Sequence, residues 1–489
     1  MCARRTACRV VRSGHVPCVD RAFTQARNHR SPRIHLEFQS HPRALRRPLV
    51  VVALLALASC VANVAAPDVG AEIARTIDTA GTVELRAEGG AYDAAVPVGA
   101  ALSLRDAVAL CVDRDAGLQA ALARVRVALA DARQARLLPN PILSLVLRVP
   151  DGGGRTQIDA GITSELVDIL KRPGRVDAAD RRLEASIAQA LVVALDLVVE
   201  LRERYAESQA FDELLPLVRA RAALLDRLVD LAQARLEFGE GARVDVTTLR
   251  GKRVELDIDI AELQRRQRQA RIALARLIGV PSGASDWQLD AWAPLPALAK
   301  DERTWIEAAL ARRPEMHAAL LELAALGDDA ALAALAKWDG TTLGLAAERG
   351  DGWALGPSLA LPLPLFDMGD ARRAKASAQI VAARHELVDL GRGVIEQVRR
   401  AHVDFSEACL SLERVRDTLI PLQRDRRREV EDTYLAGHTD VTALLLAEQD
   451  LRQTEARLVE LEERAAVSLA RLERAVGGPA VARDVIEDP

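Results

Sequence analysis

Aromatic side chains are scarce in this chain, 3% of 489 residues, which leaves little from which to build stacking platforms for bases or sugars. A basic surplus is missing as well. Residues 1–59 hold 11 arginines and two acids, so of 66 basic and 70 acidic residues, 55 and 68 lie beyond them, a net −13. A chain that acidic is a poor partner for nucleic acid, whose phosphates call for a basic face. Cysteine is sparse too. Once the arginine-rich start carrying Cys2, Cys8 and Cys18 is set aside, Cys60, Cys111 and Cys409 fit neither a disulfide framework nor a metal-site spacing. His317, His385, His402 and His438 are scattered, and no phosphate loop, nucleophile elbow or HExxH motif occurs. The residues support no enzyme, no cofactor and no resident metal. Past the N-terminal region, no apolar run reaches the ~18 residues of a transmembrane helix.

What is present begins near the N-terminus. Residues 1–42 have no hydrophobic periodicity and are set apart as an unassigned extension or an over-extended gene start. Residues 43–59 combine a basic stretch (Arg43, Arg46, Arg47), an apolar run from Leu49 to Ala58 and a small residue, Ser59, before Cys60. That order is a secretory signal, too short to span a bilayer. Its ending, LASC, resembles the lipobox of bacterial lipoproteins, which implies lipidation of Cys60. Val61 after the cysteine is compatible, in that family, with sorting to the outer membrane.

The rest of the chain repeats itself. Gly239 and Gly279 are 40 residues apart, as are Gly437 and Gly477, and the pairs are displaced by 198. The same displacement carries Gly154 onto Gly352, and 199 carries LVD (166–168) onto LFD (365–367). This gives a linker over 60–100, a first repeat over 101–280, a second linker over 281–300, a second repeat over 301–478 and a tail over 479–489. Each repeat reads as a helix (102–137 and 302–335), two alternating segments, a very long helical stretch (175–236 and 371–435), a turn and a closing helix. The long stretches would extend ~95 Å at ~1.5 Å per residue. A kink or break is expected at Pro216 and Pro421. Sevenfold spacing of Leu249, Leu256 and Leu263, and of Leu444, Leu451 and Leu458, marks coiled-coil seams.

Strands are expected at about 142–149, 156–167, 341–349 and 353–366. Leu145, Ile162, Leu345 and Leu361 fall on one face of the alternation, and Ser144, Thr163, Thr342 and Ser358 on the other. No helix is patterned to cover the apolar face, so a lipid-facing sheet is expected. Four strands cannot close a membrane barrel, whose minimum is about eight, so the barrel must be shared; three chains would supply twelve. The fold class is mainly α with a small membrane β-barrel contribution: internally duplicated long helical hairpins plus four β-strands per chain, in a trimeric α/β barrel.

LPNP (138–141), ALARRPEMHAALLELA (309–324), GPSLALPLPLFDMGDARRAKA (356–376) and the two glycine-marked tips resemble, in order and in duplicate, the TolC-like outer-membrane efflux proteins. The likeness covers about 100 to 478. It implies a homotrimer in outer-membrane lipid, with a barrel continuous with a periplasmic helical tunnel. It also implies two partners, a periplasmic adaptor (membrane-fusion) protein and an inner-membrane efflux transporter. The tips would be the adaptor contacts: Gly239, Glu240, Gly241, Ala242 and Arg243 in one hairpin, and Gly437, His438 and Thr439 in the other. The family's acidic pore constriction falls on Asp245 in the first repeat. In the second, the matching positions hold Ala443 and Leu446, and Asp440, one turn nearer the tip, is the substitute. Two other readings stand beside the efflux duct. One is the duct of a type I protein secretion system, and the other is a periplasmic coiled-coil adaptor, which would have a single hairpin flanked by β-domains.

Overall fold

A computed structural model describes residues 65–79, 83–86, 101–149, 151–153, 155–239, 241–283, 285–297, 301–349, 352–436, 438–439 and 441–487. Cys60 and the signal stretch, Glu240, Gly437 and Asp440 lie outside the described residues.

The first repeat opens with a two-residue strand β1 (Ala101–Leu102), then α2 (Leu104–Arg114) and α3 (Ala116–Ala135), preceded in the chain by a short α1 (Val69–Thr76). Strands β2 (Ile142–Arg148) and β3 (Gln157–Glu165) lead into α4 (Leu166–Glu237), and α5 (Arg243–Leu277) closes the repeat. A second two-residue strand, β4 (Gln288–Leu289), lies in the linker. The second repeat runs α6 (Glu302–Arg312), α7 (Pro314–Leu335), β5 (Thr342–Arg349), β6 (Trp353–Ala360), α8 (Asp370–Glu413), a π-helical stretch Arg414–Leu419, α9 (Ile420–Leu435) and α10 (Val441–Val476). A short α11 (Pro479–Glu487) occupies what reads in the sequence as a tail. No helix among the described residues is long and apolar enough to cross a membrane.

The duplication is visible in element positions. The starts of α2 and α6, of α3 and α7, and of α5 and α10 are each 198 residues apart. Gly279 and Gly477 follow the closing helices with φ of +80° and +110°. Inside α4 and α8 the core positions match at 200 instead: Val198 with Val398, Leu201 with Ala401 and Tyr205 with Phe405, all at most 7% exposed.

Several expectations need correction. The opening helices are not continuous. Asp115 takes an extended conformation, and its carboxylate accepts the Leu118 N–H at 2.7 Å, so one residue ends α2 and caps α3. Arg313 is extended likewise before Pro314, where the ring disfavours helix. Of the kink or break expected at Pro216 the break is absent: α4 runs through it and through Pro173, with Pro216 on the exposed side. At Pro421 the chain stays helical but widens, because the preceding π-helical turns relieve the clash of the ring with the carbonyl four residues back. Strand β6 ends at Ala360 rather than 366, since Pro362 and Pro364 cannot donate to a ladder.

Two cores hold the repeats together. In the first, Leu118, Leu122, Val125 and Leu129 of α3 pack with Leu195, Leu201 and Tyr205 of α4 and Leu274 of α5. In the second, Trp305 of α6 packs with Val394, Val398 and Phe405 of α8 and Leu472 of α10. Each buried leucine contributes about 1.5–3 kcal/mol of transfer free energy. Tyr205 does more than fill space: its hydroxyl donates to the Leu102 carbonyl at 2.8 Å and accepts the Asp290 N–H at 2.8 Å. It thereby pins the parallel pair β1–β4 onto α4. Burial pushes this phenol up to about 12.

Candidate functional site

Strands β2, β3, β5 and β6 form one antiparallel sheet in that order, so β3–β5 joins the two repeats edge to edge. The register carries the alternation across all four strands. Leu145 lies opposite Ala160, Ile162 opposite Leu345, and Leu345 opposite Pro357, giving one continuous apolar face. Leu143, Leu145, Leu355 and Leu359 on that face are 63–76% exposed, with no helix over them. Leu361 continues the parity just past β6 and is 51% exposed. On the other face Ser144 lies opposite Gly161, and Thr163 opposite Gly344, which is opposite Ser358. A Cβ on Gly344 would sit 2.1 Å from the Ile162 carbonyl oxygen, so no other residue fits there. Arg148 and Asp159 form a 2.6 Å ion pair on this polar face. Among the described residues, strands β2 and β6 pair on one side only, which leaves their outer edges without a strand partner.

At the far end of the hairpins the chain reverses. After α4, Gly239 adopts φ +78° and donates its N–H to the Leu236 carbonyl at 3.1 Å, a left-handed turn that a Cβ would strain. Ala242 is the extended residue before α5, and Arg243 begins the helix. Asp245 sits exposed in the first turn, its N–H bonded to the Ala242 carbonyl at 3.1 Å. A carboxylate there is favoured by the helix dipole whatever else it does. In the second hairpin the His438 N–H bonds back to the Thr433 carbonyl at 3.0 Å, a six-to-one bond that closes the helix end. His438 is exposed and Thr439 half-buried.

The sequence profile of the family described as "Outer membrane efflux protein" matches residues 109–280. The outer membrane protein VceC of Vibrio cholerae superposes with a TM-score of 0.64 at 18% identity, over 77% of this chain and 96% of VceC. Over residues 109–280 this chain matches the outer membrane efflux family, and its fold is that of the TolC-like channels. The open state of the MtrE channel of Neisseria gonorrhoeae gives a TM-score of 0.62 at 18% identity, over 82% of this chain and 98% of MtrE. By sequence, the cobalt-zinc-cadmium resistance protein CzcC of Cupriavidus metallidurans is 24% identical over 365 residues, 73% of this chain and 85% of CzcC. The pyoverdine export outer membrane protein OpmQ of Pseudomonas putida is 26% identical over 398 residues, 74% of this chain and 83% of OpmQ. The duplicated hairpin of this chain differs from the single hairpin expected of an adaptor.

Between sheet and tips, the chain carries charged contacts that sequence reading missed. Asp196 of α4 pairs with Arg474 of α10 at 2.6 Å, Glu203 pairs with Arg471 at 2.7 Å, and Arg202 pairs with Glu473. Glu315 is lowered on balance: burial alone would raise it, but Arg313 and Arg474 outweigh that. Glu463 goes the other way, pushed up to about 7 by burial and then by Glu207 and Glu460. Cys111 is sealed in the first core and pushed up to about 12, mainly by burial, which makes it a packing residue and not a nucleophile.

Proposed function

We propose that three copies of this chain close a channel through the outer membrane, the exit duct of a tripartite efflux system. The supporting observation is the four-stranded sheet, apolar and uncovered on one face, polar on the other and unpaired at both edges. Three such sheets make a twelve-stranded barrel in which each β2 edge meets a neighbouring β6 edge, so that no edge stays open. The apolar face meets lipid and the face carrying Ser144, Thr163, Thr342 and Ser358 meets water. The helical hairpins extend the duct into the periplasm. An adaptor engages Gly239, Glu240, Gly241, Ala242, Arg243, Gly437, His438 and Thr439 at the tips, and joins the duct to an inner-membrane transporter. Substrates then leave passively. Asp245, with Asp440, narrows the periplasmic mouth with a ring of carboxylates, and Cys60 carries the acyl chains that anchor the mature protein.

The test combines native mass with conductance of the purified protein in planar bilayers. A trimer with steady, water-filled conductance supports the duct; a monomer that never conducts overturns it. Mass spectrometry of the mature N-terminus tests the anchor: acylated Cys60 is expected, and an unmodified N-terminus elsewhere refutes it.

A further inference from the structure

Among the described residues of β2, β3, β5 and β6, one charge stands on the apolar face of the sheet. Alternation puts Arg148, Asp159, Glu165 and Glu348 on the polar face and leaves Arg349, the last residue of β5, on the other. The register lays out its rung as Leu147, Ile158, Arg349 and Trp353, and the next rung of that face as Leu145, Ala160, Ala347 and Leu355. Neither rung offers the guanidinium an acid. What stands beside it is an aromatic ring: its central carbon lies 5.6 Å from the centroid of the Trp353 indole. Arg349 is exposed and Trp353 is 64% exposed, so cation and ring form one outward-facing unit.

Depth decides what this charge meets. The β5–β6 turn lies at the end of the strands away from the helices, since α7 precedes Thr342 and α8 follows Ala360. In the duct proposed above the helices fill the periplasmic side, which puts the Arg349 rung at the outer boundary of the membrane. Strand β5 has eight residues, about 26 Å of extended chain at ~3.3 Å per residue. Tilted, it crosses most of an apolar band about 25 Å tall. A second cation on an indole, Lys337 over Trp338 at 5.5 Å, stands just before the other end of the same strand. Tryptophan favours both boundaries, where its ring can lie partly in lipid and partly in water. An arginine on a lipid-facing strand is costly at the midplane and nearly free at the boundary.

A boundary arginine also selects its partner. The planar guanidinium presents a fork of N–H donors that fits phosphate oxygens two at a time. Stacking on the indole holds that fork in place before a ligand arrives. The anion within reach of an outer-boundary arginine is a lipid headgroup. A phosphate monoester, with a charge of about −1.5 to −2, attracts it more strongly than the single charge of a phosphodiester.

We propose that Arg349 and Trp353 seat the phosphate monoester of an outer-leaflet lipid, one on each protomer, around the outer rim of the barrel. Arg349 donates to the phosphate, and Trp353 orients the guanidinium at the boundary. This rests on the duct reading above, which supplies lipid on this face and the outward direction of the turn.

The experiment uses the full-length protein in mild detergent, with diphosphoryl lipid A or phosphatidylglycerol added, and counts retained lipids by native mass spectrometry. Wild type should retain lipid A on each protomer and hold phosphatidylglycerol markedly less. Arg349→Gln should weaken retention of lipid A about tenfold, as loss of a charged hydrogen-bond donor implies. Arg349→Lys should fall between the two, because it keeps the charge and loses the fork. Trp353→Leu should weaken retention by a smaller factor, because it loses the stacking and keeps an apolar side chain. Arg148→Gln, which removes a cation from the polar face at nearly the same height, should leave retention unchanged. Undiminished retention by Arg349→Gln in a protein that is trimeric by native mass would overturn the seat and leave the duct intact. So would an equal loss in Arg148→Gln, or phosphatidylglycerol held as tightly as lipid A. A monomeric, non-conducting wild type would instead remove the duct, and the seat with it.

Discussion

Arg474, near the end of α10, holds Glu315 at the start of α7 at 2.5 Å, and the same guanidinium reaches Asp196 of α4 at 2.6 Å. One side chain of the second repeat thus joins both repeats. Glu315 and Arg474 are 18% and 14% exposed, so removing Arg474 leaves a largely buried carboxylate with Arg313 as its one remaining guanidinium partner. Arg474→Met should destabilise the protein by about 3 kcal/mol, read as a fall in thermal midpoint by circular dichroism. Because the folded Glu315 is held below its ordinary value, its stabilisation is present above that value and is lost as pH falls through the lowered one. The deficit of Arg474→Met should therefore shrink in acid; one that stays constant down to strong acid would contradict the assignment.

Glu463 gives the opposite sign. Its folded value of about 7 lies above the ordinary 4.5, so the folded state holds the proton more tightly than the unfolded chain does. The contribution is complete below the ordinary value and is lost as pH rises through about 7. Glu463→Gln should stabilise the protein at pH 8 by about 1 kcal/mol, discounted for partial exposure, and change little at pH 4. Equal shifts at both pH values would rule out the titration as the cause.

Leu145→Arg places a cation on the apolar face of β2 and should cost about 2–4 kcal/mol in the bilayer, against much less for Ser144→Arg on the other face. The readout is the yield of assembled, heat-modifiable trimer in outer-membrane fractions. Equal yields for the two variants would mean that the sheet does not sit in lipid.

Asp245→Asn, alone and with Asp440→Asn, should weaken cation selectivity and block by divalent ions in single-channel recordings, since a ring of carboxylates attracts cations. Recordings identical to wild type in both variants would leave Asp245 as a helix-start carboxylate and nothing more.

The parts legible in the sequence were those whose signal is local. Period-2 alternation located β2, β3 and β5 to within two residues, because a sheet uncovered on one face writes its geometry straight into polarity. Gly239 and the 198-residue spacing marked one hairpin tip for a similar reason: a left-handed residue leaves few choices. What stayed hidden depends on partners far along the chain. Tyr205 holds β1 across 103 residues, and Arg474 meets Asp196 across 278, and no window of sequence shows either. Asp115 hid for another reason, since an aspartate inside a helical pattern looks ordinary until its carboxylate is seen capping the next helix. At the candidate constriction only Asp245 falls among the described residues, and its exposed place in the first turn of α5 suits a ring and a simple helix start equally.

The one-sided pairing of β2 and β6 has a consequence for biogenesis. Until neighbours arrive, each protomer offers two ready templates to any extended segment nearby, including those of unrelated chains in transit. Its apolar sheet face meanwhile has no solvent that suits it. On the three-chain duct proposed above, the lone protomer is a hazardous intermediate, and the cell gains by keeping it brief: the faster the chains meet at the membrane, the less material is lost to aggregates and proteases.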